Sequence, residues 1–224
     1  MSSRLRRMLR WAARHPSALL LLAQLLALLL YPIADDDTTQ RVLYSAGALV
    51  VVPLALWVAT RSAAANWLAW LLALPAIALS AVAITFDAPQ LVTWSSLLES
   101  LLYFYAAGGL ILYMFNDRRV TRDELWAAGA TFTLLAWGFG YAFFVCESVL
   151  PGSFAGPIEP ERTRRWIELL YLSFSSLSGV GNSDIMPVGA HARVLVMLEQ
   201  LAGVGYIAFV VSRMIGLWEL TRKS

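Results

Sequence analysis

Residues 166–187 read WIELLYLSFSSLSGVGNSDIMP. The stretch Trp166 to Leu177 is apolar for about a dozen residues and runs into the small-residue segment Ser178-Gly179-Val180-Gly181-Asn182-Ser183-Asp184. A helix needs about 20 apolar residues to cross a hydrocarbon core about 30 Å thick, so this one is too short to span. A loop rich in Pro and Gly (Pro151, Gly152, Gly156, Pro157, Pro160) leads into it. Non-helical backbone at membrane depth is tolerated only where it is buried in protein or lines a water-filled path. In a membrane protein, then, a short helix ending in Ser178–Asp184 predicts a pore.

The rest of the chain makes it a membrane protein. Of 224 residues, 59% are hydrophobic and 14% charged, and the mean hydropathy is +0.64, a balance too apolar for a soluble domain. Runs of spanning length occur at Ser17 to Ile33, Val42 to Thr60, Trp67 to Phe86, Val92 to Phe115, Leu125 to Val149 and Arg193 to Trp218. The expected fold is an all-α membrane protein with six transmembrane helices plus a re-entrant pore helix and filter loop. Residues 1–16 form a basic amphipathic cytoplasmic tail, 17–120 a four-helix peripheral domain, and 121–224 a pore domain with pore helix 166–177 and filter 178–183.

Charge sets the orientation. Arg4, Arg6, Arg7, Arg10 and Arg14 precede the first run, Asp35, Asp36 and Asp37 follow it, Arg61 follows the second, Asp87 the third, and Arg118, Arg119 and Arg122 the fourth. By the positive-inside rule both termini are cytoplasmic, in a multi-pass protein of the cell membrane. Arg162, Arg164 and Arg165 break the pattern, in an outer loop that carries Glu147, Glu159 and Glu161 as well. The arginines are accounted for by membrane topology and this loop, which leaves no footprint for nucleic acid. Cys146, alone of its kind, reads as a packing residue. His15 and His191 have no second ligand at metal-site spacing. No cofactor is expected.

The run from Leu170-Tyr171-Leu172-Ser173-Phe174 to Asp184-Ile185-Met186-Pro187 resembles the pore helix and filter of the two-helix bacterial potassium-channel family, over roughly Trp126 to Trp218. That family's filter reads TVGYG followed by Asp, with Pro three residues later, a basic residue near the start of the inner helix, and a glycine hinge. Val180-Gly181, Asp184, Pro187, Arg193 and Gly203 match in type and spacing. The resemblance implies a homotetramer in the lipid bilayer, with monovalent cations held by the carbonyls of Ser178, Gly179, Val180, Gly181, Asn182 and Ser183 in place of their hydration shell. It also implies Asp184 at the pore mouth, Tyr171 and Ser175 as filter support, and Gly203 as a candidate gating hinge.

Three positions depart from the family filter: its threonine is Gly179, its tyrosine Asn182 and its second glycine Ser183. Gly179 removes the hydroxyl ring of the innermost site. Asn182 cannot brace the filter as an aromatic ring does. Ser183 carries a Cβ where glycine takes positive φ. The expected function is a monovalent cation channel with reduced potassium/sodium selectivity. The alternatives are a potassium-selective channel despite the altered filter and a non-conducting regulatory channel-like subunit.

Other residues carry weaker signals. Glu199 and Glu99 are acids inside spanning runs, and such acids face protein or water by default. Glu199 reads as protonated and structural behind the filter, and Glu99 as structural, with its nearness to Trp94 leaving a snorkelling route to the outer surface as the alternative. An acid pair serving a small enzyme or transporter is a third reading, with no nucleophile motif, metal motif or repeat to support it. Glu168 suits the pore helix N-terminus. Gly205 reads as a packing glycine, while Gly203 reads equally as packing and as hinge. The fourth run has no arginine at every third position, so no voltage gating is expected. Six residues follow Trp218, so no cytoplasmic ligand-binding domain is expected after the pore.

Overall fold

The computed structural model describes residues 16–31, 66–86, 88–115, 122–157 and 162–222. The described helices are α1 (Pro16–Leu30), α2 (Asn66–Phe86), α3 (Pro89–Phe115), α4 (Arg122–Val149), α5 (Trp166–Leu177) and α6 (Ala190–Arg222). Two-residue strands β1 (Phe154–Ala155) and β2 (Met186–Pro187) pair antiparallel, Phe154 opposite Pro187 and Ala155 opposite Met186. The all-helical reading had no place for this ribbon. It arises because the chain leaving Asp184 runs beside the outer loop, where the Ser153 carbonyl also accepts the N–H groups of Val188 at 2.8 Å and Gly189 at 3.1 Å.

Among the described residues three helices are long and apolar enough to cross a membrane, within Gln90–Phe115, Asp123–Val149 and Ala190–Arg213. Three apolar helices are shorter: Pro16–Leu30, Trp67–Ala83 and Trp166–Leu177. The first run, expected over Ser17 to Ile33, is helical over Pro16–Leu30, and Tyr31 closes it with a tighter turn. The run Val42 to Thr60 and residues 1–15 of the basic tail lie outside the described residues.

Local chemistry explains the element ends. Proline at the first position of α3 gives up an N–H that would have no helical partner there. Asp123 and Glu124 stand in the first turn of α4, where the helix dipole favours negative charge. Pro75 lies inside α2, a break that neighbouring helices make tolerable in a bilayer.

Helix α4 is the centre of the packing and touches α1, α3, α5 and α6. Its Leu134, Trp137 and Tyr141 belong to a buried cluster with Leu20 of α1, Tyr103 of α3 and Trp166 and Leu170 of α5. Polar side chains pin α1 to α4: Ser17 Oγ donates to Asp123 Oδ2 at 3.0 Å and Thr133 Oγ1 to Gln24 Oε1 at 2.9 Å. Such pairs matter in a bilayer, where apolar burial between helices drives little. Helix α6 differs. Only 22% of its spanning window is buried within the subunit, against 67% for α4. Val194, Met197, Leu198, Leu201, Val204, Ile207 and Val211 all stay exposed along it.

Candidate functional site

Helix α5 positions the site. Its N-terminus is held by Glu168, whose Oε2 accepts the Arg165 N–H at 2.7 Å while Oε1 takes Arg162 Nη2 at 2.7 Å. Glu168 therefore serves to cap the helix. Leu169, Leu170, Leu172, Ser173, Ser175, Ser176 and Leu177 are buried, and Tyr171 is the exposed exception. At the far end the Ser178 N–H closes on Phe174 O, and Ser178 Oγ donates to Ser175 O at 3.2 Å.

Beyond Ser178 the chain folds back along α5. Every second N–H turns toward that helix: Gly179 N to Ser176 O at 3.1 Å, Gly181 N to Ser175 O at 3.1 Å, and Ser183 N to Ser175 Oγ at 3.0 Å. The backbone reaches this arrangement through positive φ at Gly179 (+74°) and Gly181 (+67°). Glycine takes such angles at little cost, whereas a side chain with Cβ is strained there. Gly179 thus does more than omit a hydroxyl, since its own φ requires glycine. Gly179, Val180, Gly181 and Asn182 are exposed in the single subunit, Val180 by 67%.

The outer end of the loop is held by Tyr171 and Ser175. Tyr171 Oη donates to the backbone carbonyl of Asn182 at 3.2 Å. A hydroxyl on α5 thus meets a main-chain carbonyl of the loop that follows it. Ser175 supplies its hydroxyl oxygen to the Ser183 N–H, and Ser183 Oγ accepts the Ile185 N–H at 3.1 Å. Asp184 is exposed just beyond. The structure therefore brings Tyr171, Ser175 and residues 178–183 together, with Asp184 at the exit of the same loop.

Gly203 lies behind this loop, not in it. A Cβ on Gly203 would stand 2.1 Å from Leu177 O and 2.9 Å from its carbonyl carbon, so α6 crosses the last residue of α5 in backbone contact. Gly205 faces open space within the subunit. One turn before Gly203, Glu199 is fully buried and its Oε1 meets Ser173 Oγ, which also lies 2.7 Å from the Ala136 carbonyl of α4. Sequence reasoning passed over Ser173. The signal available was its spacing, four residues before Leu177 as Glu199 is four before Gly203.

Glu99 does not snorkel. It is buried, accepts Ser80 Oγ of α2 at 3.2 Å and is hydrogen-bonded to Tyr141 of α4. Tyr141 in turn packs on Trp166 at the start of α5, with ring centroids 5.5 Å apart. Glu99 and Glu199 thus belong to separate clusters and do not form an acid pair. Cys146 is buried and free. Among the described residues no cluster of His, Cys, Asp and Glu is arranged to hold a metal ion.

Residues 100–218 match the family model described as Ion channel, which represents the potassium-channel-type pore. The match covers more than half the chain, and the chain belongs to that family. It is a membrane ion-channel protein, in a family without enzymatic activity. Comparisons with curated proteins and with solved structures returned no match.

Proposed function

We propose that four copies of this chain surround one axis in the cell membrane, with both termini cytoplasmic, and pass monovalent cations through a filter formed by residues 178–183. Each subunit has six transmembrane helices, the run at Val42 to Thr60 being one, plus the re-entrant α5. One filter strand cannot enclose an ion. The strand's exposure in the single subunit, and the apolar face that α6 leaves uncovered, support partners on both. Asp184 places four carboxylates at the mouth, where they raise the local cation concentration.

Potassium selectivity is reduced, because the stack of carbonyl rings is shortened from both ends. At the inner end Gly179 contributes no hydroxyl. At the outer end the Asn182 carbonyl is engaged by Tyr171 Oη at 3.2 Å, and this single contact carries the reading. Fewer consecutive carbonyl rings discriminate less between potassium and sodium. The test is the reversal potential of the purified protein in planar bilayers with potassium on one side and sodium on the other. A reversal potential between the two equilibrium potentials is expected. One that follows potassium alone overturns reduced selectivity, and the absence of single-channel current favours the non-conducting subunit.

A further inference from the structure

Ser173 Oγ lies between two oxygen atoms, and a hydroxyl owns one proton. The Ala136 carbonyl, 2.7 Å away, only accepts. Glu199 Oε1 is the second oxygen within hydrogen-bonding reach of Ser173 Oγ, and a hydrogen bond there needs a proton too. If Glu199 were ionised, Ser173 would have to serve both acceptors. One contact would then oppose lone pairs in a dry site, and Glu199 Oε2, buried with no hydrogen-bond partner, would carry unscreened charge. Both contacts are satisfied only when the second proton sits on Glu199. We infer that Glu199 is a neutral carboxylic acid that donates its proton to Ser173, and that it is a positioning residue for the filter.

The placement explains what the proton does. Ser173 and Leu177 stand one turn apart on α5, as Glu199 and Gly203 do on α6, so the two contacts form successive rungs of one seam. The second rung ends at the Leu177 carbonyl, one residue from Ser178. The first rung ties α5, α6 and α4 together through Ala136. Losing the donor removes one of the two rungs that fix α6 against α5 beside the base of the filter.

Among the described residues no charged side chain is hydrogen-bonded to this group other than Glu199 itself. Ser173 faces Glu199 from α5 and the Ala136 carbonyl completes the group from α4. The other titratable groups of these helices are engaged elsewhere: Asp123 with Ser17, Glu124 with Arg213, Tyr141 with Glu99, Glu168 with Arg162, Tyr171 with Asn182 and Tyr206 with Ala128. Glu147 accepts the N–H groups of Gly152 and Phe154, Cys146 lies toward Ser153, and His191 and Arg193 stand exposed at the start of α6.

Infrared spectroscopy of the full-length protein in liposomes tests the proton directly, and does not depend on conduction. The wild-type spectrum at neutral pH should contain a carboxylic-acid carbonyl band that disappears in E199Q and shifts in S173A. E199Q keeps a neutral donor and should retain wild-type permeation, while E199A should lose about tenfold in open probability. Absence of a band difference between wild type and E199Q means that Glu199 is ionised and overturns the inference. A band that is present while E199Q and E199A behave alike overturns the positioning role. Conduction failing in every variant while the band behaves as expected would count against the channel reading alone.

Discussion

Tyr171 Oη donates a hydrogen bond to the main-chain carbonyl of Asn182 across 3.2 Å, so an α5 side chain engages an oxygen that, in the proposed filter, a longer stack of ion sites would need. Replacing Tyr171 by Phe keeps the ring and removes the donor. A neutral hydrogen bond contributes about 0.5–1.5 kcal/mol net, enough to change the balance of two carbonyl orientations by roughly two- to thirteen-fold. Y171F should therefore raise the potassium/sodium permeability ratio, read from bi-ionic reversal potentials. An unchanged ratio would remove the Asn182 carbonyl from the account of selectivity.

Restoring the family residue at the inner end should fail. Gly179 has φ +74°, where a side chain with Cβ costs on the order of 1–2 kcal/mol, and a tetramer would meet that cost four times. G179T should lower the thermal stability of the assembled channel without making it potassium-selective. A stable, potassium-selective G179T channel would mean that the backbone accepts the φ of an ordinary L residue here.

Gly203 offers a separation between close packing and hinge bending. A Cβ there would stand 2.1 Å from the Leu177 carbonyl oxygen, and backbone on both sides leaves no flexible group to give way. Overpacking of this kind costs on the order of 1–3 kcal/mol or more. G203A should reduce the yield of assembled protein and its melting temperature, and G205A, which meets nothing within the subunit, should leave the folded subunit intact. If G203A assembles normally and alters only open probability, the hinge role accounts for this glycine better.

Much of the architecture could be read from one-dimensional signals. Apolar run lengths and the low charge content gave a helical membrane protein, and the short run from Trp166 to Leu177, set between Pro/Gly-rich loop and small residues, could be read as a helix too short to span. The family followed from Val180-Gly181, Asp184, Pro187 and Arg193, which lie close enough in sequence for spacing to be informative. What could not be read were pairings between distant segments. Glu99 reads as structural in the sequence, with the nearby Trp94 leaving a route to the outer surface as the alternative. Its partners, Ser80 of α2 and Tyr141 of α4, were not legible, because no local pattern encodes which helix a buried acid will face. The Tyr171 contact was hidden for a different reason, since the direction of a single carbonyl depends on backbone angles that side-chain identities only constrain.

At the other end of the pore domain, Arg213 Nη2 of α6 pairs with Glu124 Oε2 of α4 at 3.0 Å, with the two side chains 17% and 6% exposed. A pair this sheltered is costly to halve, because the remaining charge loses its partner without regaining water. E124Q and R213Q should each lower stability by about 1–3 kcal/mol, measured by thermal unfolding in detergent. The exchange E124R/R213E should recover only part of that loss. Glu124 lies in the first turn of α4, where the helix dipole favours an acid and opposes an arginine by about 0.3–1 kcal/mol. A double-mutant cycle with no coupling between the two positions would show that the pair is incidental. Strong coupling accompanied by a change in open probability would make it a latch between the inner-helix end and the outer helix, because splaying α6 away from the axis moves Arg213 relative to the start of α4.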